Sequence, residues 1–283
     1  MIFVQHVSEL RGRYRPSMGN EPQLVGSASD PPVGLARSRS PARRSVWVVG
    51  LLLGMVAGVL AFGVLWALTP SVADLSERVT DRLVAHGVVE PGVLPVPDRV
   101  GQAVVATEDS RFYRNHGVDL PGALRGLLGA IVGNTDAGGA TLDQQLAKIL
   151  YTPNRADVIA KIEQVILAVK IDHSYSKSHI LRDYLASVYF GHGYYGLSAA
   201  AYGYFGLTPA QLSWAQASLL AGLVQAPTAY DPITHYNLAK QRQHLVLNRL
   251  VATGVLSRSQ ADGAFAAPLG IVDSRSHPLT TLT

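Results

Sequence analysis

The hydrophobic pattern divides the chain at one place. From Ser45 to Leu68 the sequence reads SVWVVGLLLGMVAGVLAFGVLWAL, apolar in every register and without a charge over 24 residues. As a helix rising about 1.5 Å per residue it reaches roughly 36 Å, enough to cross a hydrocarbon core of about 30 Å. Trp47 and Trp66 stand near its two ends, where indole rings favour the membrane interface. The run is too long, and begins too late, for the apolar part of a cleaved signal peptide.

Beyond it the pattern becomes amphipathic. Val72, Leu75, Val79 and Leu83 recur at helical spacing, which predicts a short helix serving as a stalk. The stretch EPGVLPVPDRV is punctuated by prolines and reads as an extended connector. From about residue 98 to 256 nearly every long segment has the helical period, and no alternating run predicts a substantial sheet. In residues 157–171, apolar positions 158, 159, 162, 165, 166 and 169 form one predicted core stripe. At about 100° per residue, Gln164 falls on the same side of that helix as Lys161. Ser176 is placed to cap the next helix, and TPAQLSWAQASLLAGLVQAP predicts a buried helix with Pro209 in its first turn and Pro227 past its end. The expected organisation is a disordered cytoplasmic tail (1–44), a membrane helix (45–69), a stalk or linker (70–93), a mainly α-helical domain (94–256) and a C-terminal tail (257–283).

Charge gives the anchor a direction. Residues 1–44 hold seven arginines against Glu9, Glu21 and Asp30, which accounts for the whole net charge of +4. Arg37, Arg39, Arg43 and Arg44 abut the apolar run, so the positive-inside rule predicts a cytoplasmic N-terminus and an extracytoplasmic domain. The basic balance is thereby a topology signal and implies no nucleic-acid partner. The absence of cysteine excludes a disulfide scaffold, a thiolate metal site and a cysteine nucleophile.

Candidate chemistry is concentrated in a few places. Glu108 and Glu163 are the only glutamates of the predicted helical domain. Glu108 ends the apolar run VGQAVVATEDS, and a desolvated carboxylate there has the raised pKa that suits general acid–base work. Taken alone, an exposed helix-end carboxylate accounts for it somewhat better. GGATLDQQLAK, residues 138–148, is a glycine-led turn opening a helix whose free N–H groups can hold an anion, or it is only a turn. The aromatics of YFGHGYYGLSAAAYGYFG suit sugar stacking or core packing. Ser174-Tyr-Ser-Lys177 matches the S-x-x-K of penicillin-binding transpeptidases, but no S-x-N or K-T-G follows it.

Five ordered stretches together resemble the glycosyltransferase family 51 peptidoglycan polymerases, the transglycosylase domain of class A penicillin-binding proteins and of the monofunctional enzymes. They are EDSRFYRNHG, GGATLDQQLAK, AKIEQ, YLASVYFGHGYYGLSAAAYGYFG and ASLLAGLVQAPTAYDP, in order from about residue 94 to 250. With one anchor and no transpeptidase motifs, the sequence is expected to be of the monofunctional type.

The resemblance implies a lysozyme-like α-helical fold with a smaller, membrane-facing lobe. It makes Glu108 the base that takes the proton of an acceptor sugar 4-hydroxyl, with Asp109 and His116 supporting it. Phe112, Thr141, Gln144, Gln145, Lys148, Lys161 and Gln164 are then expected around sugar or diphosphate. It implies lipid II and the growing glycan strand as substrates, the membrane and cell-wall synthesis proteins as partners, and no obligatory cofactor, with a divalent cation admitted. The segment 127–139, between the first two motifs, is expected to be the most mobile part of the domain. The sequence departs from the family pattern at Ala140, Ile149, Ala160, Gln164, Ala186 and Gln216; Gln164 stands where the family has its second glutamate. Three readings follow: a lipid II polymerase first, a non-catalytic domain binding lipid II or a cell-wall partner second, and a lysozyme-like hydrolase third.

Overall fold

A computed structural model describes residues 41–88, 95–119, 121 and 140–272. The predicted tail before residue 41 and the whole segment 127–139 expected to move, with Gly138 and Gly139 of the second motif, lie outside the described residues. The chain forms two compact units, residues 1–54 and 55–283. Among the described residues there is no strand, only an isolated antiparallel bridge between Tyr189 and Tyr195.

Helix α1 (Pro41–Leu68) spans the boundary of the two units. Within it, Val46–Leu68 is the one described helix long and apolar enough to cross a membrane, and no part of that stretch is buried.

The second unit continues with α2 (Leu75–Ala85), α3 (Asp98–Glu108), α4 (Leu142–Tyr151), α5 (Val158–Ser174), α6 (Lys177–Ser187), α7 (Leu197–Phe205), α8 (Trp214–Leu223), α9 (Tyr236–Ala252) and α10 (Arg258–Ala266). The starts are written in the sequence. Asp157 accepts the Ala160 N–H at 2.8 Å, Ser176 accepts that of His179, and Ser213 and Ser257 each close a capping box with Gln216 and Gln260. Each such cap contributes about 1 kcal/mol by satisfying an orphan N–H.

Three expectations change. The predicted stalk is core: Leu75, Val79 and Leu83 are buried, and α2 packs on α6 and α4. Its periodicity marks a buried face without saying what buries it. At the other end, Ala261 of α10 and Leu269 join the same core, so it runs past residue 256. The helix expected from Pro209 starts only at Trp214, because Thr208 and Gln211 close a capping box around a separate 3₁₀ turn and Ser213 opens a new one.

Helix α5 faces the core with the other side. Ala160, Leu167, Ala168 and Ile171 are buried, while Val158, Ile159, Ile162 and Val165 of the predicted stripe are exposed and only its Ile166 is buried. The helix carries apolar residues on both sides, so the period alone does not choose a face.

Two groups of helices position the site. Helix α3 packs on α8 and α9, and α4 packs on α5 and α6. The turn after α3 reaches α5 at Gly117, whose φ of 79° and missing side chain let it lie against the Ala168 carbonyl; an added Cβ would stand 2.5 Å from that oxygen.

Candidate active site

Glu108 is the last residue of α3, and its side chain is 12% exposed. Gln145 of α4 donates from Nε2 to Glu108 Oε2 at 3.1 Å. The orientation of that amide is set from behind: Tyr184 of α6, fully buried, donates its hydroxyl to Gln145 Oε1 at 2.7 Å. Burial and the nearby Glu108 push the Tyr184 hydroxyl well above its ordinary pKa, so it keeps its proton and its role as donor. Arg242 of α9 brings Nη2 to 3.8 Å from Glu108 Oε1.

Burial raises the Glu108 pKa most, with Asp109 adding to the rise, while the Gln145 hydrogen bond and Arg242 pull it down. A carboxylate so placed takes up a proton more readily than an ordinary one, since desolvation favours its neutral form.

Asp109 has a different task. It is buried, accepts both Asn115 Nδ2 contacts (3.1 and 2.9 Å) and the Leu142 N–H at 3.2 Å, and so fastens the turn after α3 to the first residue of α4. Burial is again the leading cause of its raised pKa. Asn115 in turn accepts from Lys177 Nζ at 3.0 Å, and Lys177 also reaches Asp143 and Asp172. The lysine of the S-x-x-K match is thus a structural hub.

Several residues expected around substrate are occupied elsewhere. Phe112 is fully buried in the core with Lys177 Nζ 4.6 Å from its ring centroid. Thr141 is buried; its hydroxyl donates to Gly117 O at 2.7 Å and accepts the Gln144 N–H, while Gln144 Oε1 accepts the Thr141 N–H. At the start of α4, Asp109 thus takes the Leu142 N–H and Thr141 that of Gln144.

Lys148 and Lys161 are exposed. Gln164 is half-buried and donates to Thr152 Oγ1 at 2.8 Å, tying α5 to the end of α4. Glu163 pairs with Arg155 at 2.8 Å. His116 is 94% exposed, 3.6 Å from Asp172 rather than beside Glu108. The structure therefore brings Glu108 and Gln145 together, sets His116 near Asp172 and ties Gln164 to Thr152.

Gln216 caps α8 and donates to Leu269 O, a structural use of a departure from the family pattern. No group of three or more side chains arranged to hold a metal occurs among the described residues.

Sequence reasoning missed Arg242. The signal was present: it lies on the helix face bearing Ala239, Gln243, Val246 and Leu250, an unusual place for a charged side chain.

The class is a mainly α-helical domain, preceded in the chain by an apolar helix of membrane-spanning length, whose site is built on one desolvated carboxylate at the meeting of two helix groups. The family model for Transglycosylase matches residues 89–251, more than half the chain. The chain belongs to the transglycosylase family. Penicillin-binding protein 1A of Neisseria gonorrhoeae is 40% identical over 169 residues, covering 59% of this chain and 21% of that protein. Penicillin-binding protein 1F of Bacillus subtilis is 35% identical over 177 residues, covering 62% of this chain and 25% of that protein. A crystal structure of penicillin-binding protein 1A from Haemophilus influenzae aligns over 64% of this chain and 18% of that one, with 21% identity and a TM-score of 0.39. The chain thus spans a quarter or less of the length of these relatives.

Proposed function

We propose that the protein is a peptidoglycan glycosyltransferase that polymerises lipid II into glycan strands at the outer face of the bacterial plasma membrane. The observation that carries it is Glu108, desolvated at the end of α3 and held through one oxygen by Gln145. Glu108 takes the proton of the acceptor 4-hydroxyl as that oxygen attacks the anomeric carbon of the lipid-linked donor. The bond to undecaprenyl diphosphate breaks with inversion, and the exposed Lys148 and Lys161 offer cationic contacts to the departing charge.

Helix α1 anchors the chain with its N-terminus in the cytoplasm, supported by the arginines that precede the apolar run. The exposed Val158, Ile159, Ile162 and Val165 of α5 support a domain lying against the bilayer.

One observation favours the second reading, a domain that binds lipid II or a cell-wall partner without turnover. Gln164, an amide at the position of the second family glutamate, is committed to Thr152. Labelled lipid II incubated with the purified full chain separates the readings. The polymerase lengthens glycan; a binding domain retains lipid II unchanged; a hydrolase shortens preformed strands. Lipid II left unextended by folded protein would refute the proposal.

A further inference from the structure

The two oxygens of Glu108 meet different neighbours. Oε2 accepts from Gln145 at 3.1 Å, whereas Oε1 faces Arg242 Nη2 at 3.8 Å. The second distance is too long for a hydrogen bond and short for a charge contact between side chains each 12% exposed. Such a cation stabilises the charge on Oε1 without occupying the lone pair that has to receive a proton.

Arg242 is itself held. Its Nε donates to the Gly222 carbonyl at 3.4 Å, and its guanidinium carbon lies 5.9 Å from the Tyr230 ring centroid. Gly222, inside α8, gives its stem room: a Cβ there would stand 2.9 Å from Arg242 Cγ, closer than side chains pack. Glycine is a poor helix former, and the passage of Arg242 accounts for one at this place in α8.

We propose that Arg242, with Gly222 making room for it, is a positioning residue that holds the Glu108 carboxylate in one orientation and in its charged form, with Oε1 open to the acceptor proton. The inference rests on the reading of Glu108 as the base.

The groups facing Glu108 oppose one another. Burial and Asp109 favour the protonated form; Gln145 and Arg242 favour the charged one; Tyr184 stays neutral behind Gln145. Among the described residues, Arg242 is the only cation within ion-pairing distance of Glu108. Without it the carboxyl keeps its proton to higher pH, and the acid limb of the rate profile moves up with it.

The test uses the full chain with Arg242→Met, Arg242→Lys and Gly222→Ala, comparing initial rates of glycan synthesis from lipid II across pH. Arg242→Met is expected to lose on the order of 10²-fold in kcat near neutral pH, the cost of about 1 Å of misplacement, with the acid limb displaced upward and KM little changed. Arg242→Lys is expected to restore the limb, and Gly222→Ala to displace it without altering any charge. A folded Arg242→Met variant whose rate falls equally at every pH, or an Arg242→Lys variant that falls as far as the methionine, overturns the proposal. The pair is also readable without turnover. The chain has only six glutamates, so ¹³C carboxyl titration with Glu108→Gln for assignment isolates Glu108. An upward titration shift in Arg242→Met supports the pairing even if the wild type makes no glycan, and an unmoved titration overturns it.

Discussion

Lys170 Nζ lies 2.8 Å from the backbone oxygen of Trp66 and 5.2 Å from the centroid of its indole ring. The same ammonium donates to Thr69 O at 2.8 Å and Pro70 O at 3.1 Å. Helix α1 has no basic residue in its last turn, so α5 supplies the cation that its terminal carbonyls and dipole favour. Lys170→Met is expected to destabilise the domain by about 2 kcal/mol, since charge-assisted bonds to carbonyls are lost from a buried site. Urea unfolding in detergent, followed by circular dichroism, measures it; an unchanged midpoint would count against the cap.

How much of this was legible in the sequence depended on the kind of information each feature carries. The mainly α-helical architecture was legible because helical periodicity is local, as is the cap at Ser176. Which face of α5 is buried was not, because Ile159 and Ile162 on one side match Leu167 and Ile171 on the other in apolarity. Glu108 stood out by the scarcity of glutamate and its apolar context. Its partner Arg242, and Tyr184 behind Gln145, come from helices distant in sequence, and no spacing rule joins them. Thr141 and Gln144 are polar residues at a helix start, where a cap and an anion site look alike until the hydroxyl's partners are seen.

Thr141→Ala separates those two roles. It removes the acceptor of the Gln144 N–H and the donor to Gly117 O. A loss of about 1 kcal/mol in stability is expected, with KM for lipid II little changed. Weakened lipid II binding in a variant of undiminished stability would instead make Thr141 a ligand residue.

Asp143 predicts a pH dependence. Burial pushes its carboxyl from the ordinary 3.8 up to about 6, more than the Lys177 ammonium beside it pulls it down. The folded chain therefore holds this proton where the unfolded chain releases it. The stabilisation is fully present below pH 3.8 and is lost as pH rises through about 6. Comparing unfolding midpoints of wild type and Asp143→Asn at several pH values is expected to show the wild type gaining on the variant as pH falls through this window. A difference that stays constant, or reverses, contradicts the assignment.

The central claim is that Glu108 is the base of a glycosyl transfer, and its most direct test is the rate of glycan synthesis from lipid II by Glu108→Gln. The amide keeps the shape of the carboxylate but cannot accept the proton, so the fold is expected to persist by circular dichroism. The rate is expected to fall by about 10²–10⁴, the usual contribution of a general base. A folded Glu108→Gln variant that polymerises lipid II at close to the wild-type rate would contradict the account.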